Sequence, residues 1–116
     1  MGIKKYEDLK VYQKSYQLAL KVHQLTQELP NFEKYELGQQ IRKAAVSIPL
    51  NIVEGYGRKS SAAEFKHFLR NALGSSNEVI VLLKMLQDLG YVNTEEMLQQ
   101  YDELGKQLYS LREVWK

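Results

Sequence analysis

A line of polar residues in the middle of the chain has the spacing that a binding or catalytic site on a helix would use. Positions 40, 47, 51 and 54 lie seven, four and three residues apart, which places them on one side of an α-helix. Two polar residues of the following helix are expected to face them, and the whole set is Gln40, Ser47, Asn51, Glu54, Ser75 and Glu78. No nucleophile–base pair accompanies this set, although a catalytic site normally needs one. The pattern therefore favours a structural hydrogen-bond network, which satisfies carbonyl groups loosened by Pro49, and predicts no enzyme.

Two shorter motifs point to metal or nucleotide chemistry, and neither is complete. Glu64 and His67 have the spacing of half a di-iron carboxylate site in a helix bundle, but the second such motif that the site requires is missing. Gly55 and Gly57 have the spacing of the first two glycines in a dinucleotide-binding motif. They follow a helix rather than a strand, and Ser60 replaces the third glycine. The sequence therefore predicts no metal and no cofactor.

The basic residues are the remaining functional candidates, as contacts to the phosphates of RNA or DNA. Residues 1–60 hold 10 Lys+Arg against 6 Asp+Glu, whereas residues 61–116 hold 6 against 8. The candidates form a line on the first helix, a cluster around the second and a pair on the third: Lys10, Lys14, Lys21, Arg42, Lys43, Arg58, Lys59, Lys66 and Arg70. A lysine line on a helix is more commonly a solvated face, and a net charge of +2 argues against strong binding by one copy. Because an oligomer would multiply a modest patch, both interpretations stay open.

Four stretches with helical apolar spacing must position these residues. The predicted helices run from Tyr6 to Leu29, from Tyr35 to Gly55 or Gly57 with a left-handed cap, from the Ser61 cap to about Leu89, and onward from the Thr94 cap. Pro49 removes an amide donor from the second helix and is expected to kink it. Short links between the helices predict an all-α, antiparallel, up-down-up-down four-helix bundle with a kinked second helix.

The third and fourth helices carry heptad seams, with apolar residues alternating four and three apart. The first seam consists of Phe65, Leu69, Ala72, Ser76, Val79, Leu83 and Leu86; the second consists of Met97, Tyr101, Leu104, Leu108, Leu111 and Trp115. Small residues from Ala72 to Ser76 are expected to let the Pro49 region come close. A second apolar stripe on the second helix, formed by Val46, Leu50 and Val53, would stay partly exposed on a lone bundle and predicts an oligomer interface.

The second helix also carries a family resemblance. The matching residues of the second helix are Leu37, Gln40, Ile41, Arg42, Ala44, Ala45, Ser47, Ile48, Pro49, Asn51, Ile52, Glu54 and Gly55. With these residues, and with Phe65, Phe68 and the run from Gly74 to Glu78, the chain resembles the four-helix-bundle proteins encoded in intervening sequences of bacterial 23S ribosomal RNA genes. That family looks related to the accessory protein of diversity-generating retroelements. The resemblance covers nearly the whole chain, with mild departures at Lys43 and Val53. It implies a homopentamer and, from the retroelement relatives, binding to nucleic acid and to a reverse transcriptase or another protein.

The composition sets the remaining bounds. A chain of 116 residues predicts one domain, residues 1–116, large enough to fold without disulfides or metal. There is no cysteine, no apolar run long enough to span a membrane and no signal-peptide pattern, so a cytoplasmic location and no membrane partner are expected. The leading hypothesis is a homo-oligomeric nucleic-acid-binding or ribonucleoprotein accessory module. The alternative is a structural protein–protein interaction oligomer that does not bind nucleic acid.

Overall fold

The chain is all-helical in the computed structural model, which describes residues 2–116. Four long helices form the body of the molecule: α1 (Lys10–Thr26), α2 (Leu37–Gly57), α3 (Ala62–Asp88) and α4 (Glu95–Val114). A 3₁₀ turn (Tyr6–Asp8) precedes α1, and one helical turn (Asn31–Lys34) lies between α1 and α2. The described residues contain no β-strand, and they form a body of 45 × 22 × 22 Å. The prediction of an all-α four-helix bundle is confirmed. No helix within the described range is long and apolar enough to span a bilayer.

The order of packing follows the order of the chain, because each long helix packs on the next and α4 closes against α1. Ser47 in the middle of α2 hydrogen-bonds to Ser75 in the middle of α3. Gly55, two turns further along α2, lies against Phe68, which comes two turns earlier in α3. Residue numbers therefore rise along α2 as they fall along α3, and the two helices are antiparallel.

Helices α3 and α4 show the same opposed direction. The ring centres of Phe65 and Trp115 lie 4.5 Å apart at the beginning of α3 and the end of α4. Nearer the middle of the bundle, the Ser76 hydroxyl donates to the backbone carbonyl of Tyr101 at 3.5 Å. These two contacts fix the register between the helices, so that each residue of α3 can be matched with the level of a residue of α4.

The first helix is shorter at both ends than the predicted span from residue 6 to residue 29. Leu9 is extended, with a ψ of 124°, and it separates the 3₁₀ turn from α1. The Asp8 carboxylate holds this turn by accepting the backbone amide of Lys5 at 3.1 Å. At the other end, the hydroxyl of Thr26 bonds back to the carbonyl three residues earlier, at 2.9 Å. These local side-chain bonds compete with the helix and end it before the apolar pattern ends.

The second helix continues through Pro49 and is bent, as the sequence predicts. The predicted left-handed cap at Gly55 or Gly57 is wrong, because Gly90 is the one described glycine with a positive φ, at 82°. Gly55 instead lies inside the helix and allows close packing. A Cβ placed on it would come within 2.7 Å of the Phe68 Cβ.

The predicted caps of α3 and α4 are only partly as expected. Ser61 accepts the amide of Glu64 at 3.2 Å, which is one half of the capping box. The α4 boundary at Thr94 is correct, but its hydroxyl donates to the buried carbonyl of Leu83 at 3.1 Å instead of capping the helix. Asn93 takes the capping role, since its side-chain oxygen accepts the amide of residue 95 at 3.0 Å.

The heptad seams of α3 and α4 lie in the core. All seven residues of the α3 seam are buried. On α4 the three central seam residues are buried, and the other three pack at its edge: Met97, Leu111 and Trp115. The seam pattern is therefore a reliable guide to the faces that these two helices turn inward.

Tyr101 is the largest fully buried side chain, and its hydroxyl has no hydrogen-bond partner among residues 2–116. Burial raises the pKa of this phenol above its ordinary value of 10.0. The substitution Tyr101→Phe keeps the ring and removes the unpaired hydroxyl, so we expect it to stabilise the fold by about 1 kcal/mol. Urea unfolding followed by circular dichroism measures the change.

The same substitution has a pH signature. The contribution of Tyr101 is fully present below pH 10 and is lost as the pH rises toward the raised pKa, because only the unfolded chain releases the phenolic proton there. The advantage of the phenylalanine variant should therefore grow above pH 10. An advantage that stayed constant up to pH 11 would contradict the burial of an ionisable phenol.

Candidate functional site

Three of the six predicted polar residues meet between α2 and α3. The Ser47 hydroxyl lies in hydrogen-bond contact with the Ser75 hydroxyl and with the carbonyl of Ala44, at 3.1 Å from the latter. The Asn51 amide donates to the carbonyl of Ser47 at 2.8 Å. Pro49 has no amide hydrogen, so the carbonyl four residues earlier, at Ala45, lacks its helical donor. The two side-chain bonds engage the carbonyls of Ala44 and Ser47, on either side of it. The arrangement has the geometry of a local structural network, and both hydroxyls are occupied by it.

The other three predicted polar residues do not join this network. Gln40 and Glu78 are exposed, and Glu54 is directed to solvent with 51% of its side chain accessible. The prediction that Glu54 belongs to the structural hydrogen-bond network is therefore wrong. It pairs instead with Arg58 at 2.8 Å, and Arg58 also contacts Glu64 at 3.3 Å. This exposed triad joins the end of α2 to the start of α3.

An open groove of about 680 Å³ runs along α2 and α3 beside the serine pair. It is lined by Gln40, Lys43, Ala44, Ser47, Gly74, Asn77, Glu78, Val81 and Leu82. Gly74 widens the groove, because a Cβ placed on it would meet nothing within 4 Å. The expected close approach along the small residues of α3 therefore occurs at Ser75 and not at Gly74. The groove lining contains no histidine to serve as a base for either serine.

The partial metal motif remains partial in the fold. His67 is exposed, 3.5 Å from the Asn71 amide, and its ring packs edge-on against Phe68 with the centres 5.3 Å apart. No group of three histidine, aspartate or glutamate side chains comes together within residues 2–116. Glu64 is engaged by Arg58. These residues are therefore not arranged as a ligand set.

The predicted lysine line of α1 borders α4 and does not face away from the bundle. Lys14 is half-buried, and its ammonium group forms an ion pair with Glu103 of α4 at 2.7 Å. The hydrogen bond from Lys14, reinforced by its charge, lowers the pKa of the Glu103 carboxyl. Lys10 lies in the cleft between α1 and α4, and Lys21 is exposed. The line thus holds two accessible cations instead of three.

The basic cluster around α2 is also divided. The Arg42 guanidinium is half-buried and donates to the carbonyl of Lys34 at 2.9 Å, where it holds the turn before α2. Arg58 belongs to the exposed ion-pair triad. Lys59 lies over the ring of Tyr56 at 4.6 Å, and Lys43 is exposed. Two of the four cations therefore have structural partners.

The basic pair of α3 stays available. Lys66 is half-buried, Arg70 is exposed, and neither forms an ion pair with another described residue.

The structure adds Tyr109 of α4, which the sequence interpretation missed. It is 51% exposed, with the Arg112 guanidinium 5.6 Å from its ring centre. Its position outside the seam of Leu104, Leu108 and Leu111 is the signal that separates it from the core tyrosines.

The second apolar stripe of α2 forms one wall of a groove with α1, which we call the α1/α2 groove. Leu50 is 61% exposed, and Val46 and Val53 are half-buried beside it. The opposite wall, which the sequence interpretation missed, includes Tyr16 and Leu20, 46% and 47% exposed. The complete lining is Tyr6, Tyr12, Tyr16, Ala19, Leu20, His23, Val46, Pro49, Leu50 and Val53, around a volume of about 320 Å³.

The two halves of the polar line make a direct test of its structural role. We expect Asn51→Leu to destabilise the bundle by about 1–3 kcal/mol, because it removes a bond to the loosened backbone of α2. Glu54→Gln should change stability little, since its ion pair with Arg58 is exposed. Thermal unfolding of both variants compares them. Equal losses from the two substitutions would contradict this division of the line.

Comparison with known proteins relates the whole bundle to one family. The profile described as 23S rRNA-intervening sequence protein matches residues 7–110. A solved structure of similar fold is a protein with unknown function from the S23 ribosomal protein family of Bacteroides thetaiotaomicron. The two structures have a TM-score of 0.78 and 27% sequence identity, over 90% of this chain and 96% of that chain. None of the curated proteins compared with the chain matches it.

Proposed function

The chain belongs to the family of 23S rRNA-intervening sequence proteins, and from this premise we propose that it is a non-enzymatic bundle that assembles with copies of itself and binds nucleic acid as an assembly. The observation that carries the proposal is the α1/α2 groove. It brings three exposed large apolar side chains, Tyr16, Leu20 and Leu50, onto one surface together with the half-buried Val46 and Val53. The engagement of both Ser47 and Ser75 hydroxyls within the fold supports a binding role over a catalytic one.

Assembly through the α1/α2 groove follows from the character of its walls. Tyr16, Leu20 and Leu50 are each close to half exposed or more. Contiguous apolar surface bordered by polar residues is typical of protein–protein contacts, and tyrosine is enriched in them. Burying these side chains against a second copy removes their apolar surface from water. The resemblance to the 23S rRNA-intervening sequence proteins implies that the oligomer has five subunits.

Nucleic-acid binding is proposed to use the cations that neither form an ion pair nor donate to a backbone carbonyl among the described residues. Of the nine predicted candidates these are Lys10, Lys21, Lys43, Lys59, Lys66 and Arg70. Five of them lie on three different helices and Lys59 lies in the link after α2, so one bundle offers only a dilute positive surface. Several copies held together would present these groups at high local concentration to one polyphosphate chain. Such contacts position the backbone and carry no base-specific information.

Two measurements on the purified protein test the proposal. Sedimentation equilibrium should give an oligomer at micromolar concentration, with a pentamer as the specific expectation. Fluorescence anisotropy with labelled RNA and DNA should show binding at low salt that weakens steeply as salt rises, because it depends on counterion release. A monomer would contradict the assembly. An oligomer that binds neither nucleic acid at low salt would contradict the nucleic-acid function alone.

The second candidate function is a protein-interaction oligomer that does not bind nucleic acid. It is favoured by the structural use of Lys14, Arg42 and Arg58, each of which is held by a carboxylate or a carbonyl. The partner implied by the resemblance to the retroelement accessory protein is a reverse transcriptase. Co-purification of the assembled protein with such an enzyme, after nuclease treatment, separates a direct protein contact from one bridged by nucleic acid.

A further inference from the structure

A second groove, between α3 and α4, lies on the side of the bundle opposite the α1/α2 groove, because the four helices pack in cyclic order. We call it the α3/α4 groove. It has a volume of about 370 Å³, and Asn77, Lys106 and Tyr109 contribute to its lining. At its floor α3 and α4 lie close together, since a Cβ placed on Gly105 would be in van der Waals contact with Leu73, at 3.5 Å. The two grooves have no lining residue in common.

Tyr109 makes the groove unlike an ordinary solvated helix surface. Half of its side chain is exposed, and the Arg112 guanidinium lies 5.6 Å from its ring centre. The other tyrosine of α4, Tyr101, is fully buried, and Tyr91 in the link between α3 and α4 bonds through its hydroxyl to Glu33 at 3.0 Å. An exposed aromatic ring beside a guanidinium is the combination on which nucleic-acid bases stack.

The register of the two helices brings Arg70 of α3 to the level of this ring and Lys66 to a level one turn beyond it. Leu73 lies opposite Gly105, so in antiparallel helices Arg70 is level with residues 108–109 of α4. The contact between Phe65 and Trp115 likewise sets Lys66 level with Val114, near the end of α4. Lys66 and Arg70 are one helical turn apart, about 6 Å along the axis. Tyr109 on one wall of the groove therefore has Arg70 at its own height on α3, and Lys66 lies one helical turn further along; both cations lie just beyond the lining of the groove.

The carboxylates on this side of the bundle already have partners. Asp102 pairs with Lys106 at 3.4 Å, and Glu113 pairs with Arg112 at 3.5 Å. Neither Lys66 nor Arg70 has such a partner among residues 2–116. The local balance of charge near Tyr109 is therefore positive.

We propose that the α3/α4 groove binds single-stranded nucleic acid, with a base stacked on Tyr109 and the adjoining phosphates on Lys66 and Arg70. This inference rests on the proposed nucleic-acid function. It adds that the nucleic acid binds in the α3/α4 groove and that it is single-stranded. A duplex keeps its bases stacked on one another and offers only phosphates to this surface. A single strand can also supply the base face, so it should bind more tightly.

The test compares a labelled 12-nucleotide single strand, as RNA and as DNA, with the corresponding duplexes by fluorescence anisotropy. We expect Tyr109→Ala to weaken single-strand binding about tenfold and to leave duplex binding nearly unchanged, while Tyr109→Phe retains the stacking and the affinity. Lys66→Gln with Arg70→Gln should weaken binding to both forms and reduce the salt slope by about 1–2. Circular dichroism melts confirm that each variant is folded.

Matched controls use the same residue types elsewhere. Tyr35→Ala removes a tyrosine that is 72% exposed on the link before α2, and Lys4→Gln with Lys84→Gln removes two exposed lysines that are not among the proposed phosphate contacts. If the control variants weakened binding as much as the groove variants, the assignment to this groove would be wrong, although nucleic-acid binding itself would stand. Equal affinity for single strands and duplexes would contradict the assignment in the same way. Absence of binding by the unmodified protein would overturn both this inference and the proposed function.

Discussion

The substitution Gly55→Ala is expected to destabilise the bundle by about 2 kcal/mol, although alanine is the better helix former. A Cβ at position 55 would lie 2.7 Å from the Phe68 Cβ and 2.9 Å from the Phe65 Cδ1. The Phe68 Cβ sits directly on the backbone of α3, so it cannot move aside without moving that helix. Overpacking of this kind typically costs about 1–3 kcal/mol, which outweighs the gain of nearly 1 kcal/mol in helix propensity.

Gly57→Ala is the matched control, because Gly57 lies in the same helix, two residues on, and a Cβ there would meet nothing within 4 Å. It should stabilise the protein by about 0.4–1 kcal/mol through the smaller conformational freedom of the unfolded chain. Urea unfolding of the two variants, followed by circular dichroism, should therefore move the midpoints in opposite directions. A stabilised Gly55→Ala variant would show that α2 and α3 are further apart than described.

Leu50→Asp is expected to disperse the assembly into single chains. Leu50 is 61% exposed on the isolated bundle, so a carboxylate there is solvated and the subunit should keep its fold. In an assembled protein the same carboxylate would lie in the apolar α1/α2 groove without a partner, which costs several kcal/mol for each contact. Sedimentation equilibrium should then give the mass of one chain, 13.5 kDa. Affinity for nucleic acid should fall with it, because the sites lose their shared attachment.

Val114→Asp serves as the control, since Val114 is 66% exposed at the end of α4, away from the α1/α2 groove. It adds the same charge to a similarly exposed aliphatic position and should leave the oligomer intact. If Leu50→Asp sedimented like the unmodified protein, the interface would lie on another face. If both variants dissociated, net charge and not the groove would govern assembly.

Much of the fold follows from the sequence alone, because helical periodicity encodes which face of each helix is apolar. The seven seam positions of α3 are all buried, and the bend at Pro49 lies where the missing amide requires it. Ser61 begins α3, and Gly90 adopts the positive φ that a helix end of this kind needs. The apolar stripe through Leu50 was visible in the same way. These features depend on neighbours a few residues apart, which the sequence displays directly.

The register between helices was decided only by the tertiary structure, and it determines which polar groups are free. Lys14 is bound to Glu103, 89 positions away, and Arg42 to the carbonyl of Lys34, so neither belongs to an accessible basic face. Gly55 acts through its fit against α3 and not as a cap. Tyr109 and Arg70 come to one level only because α3 and α4 run in opposite directions. Periodicity fixes the direction of a side chain around its own helix axis, but its partner depends on how far the neighbouring helix is shifted along that axis.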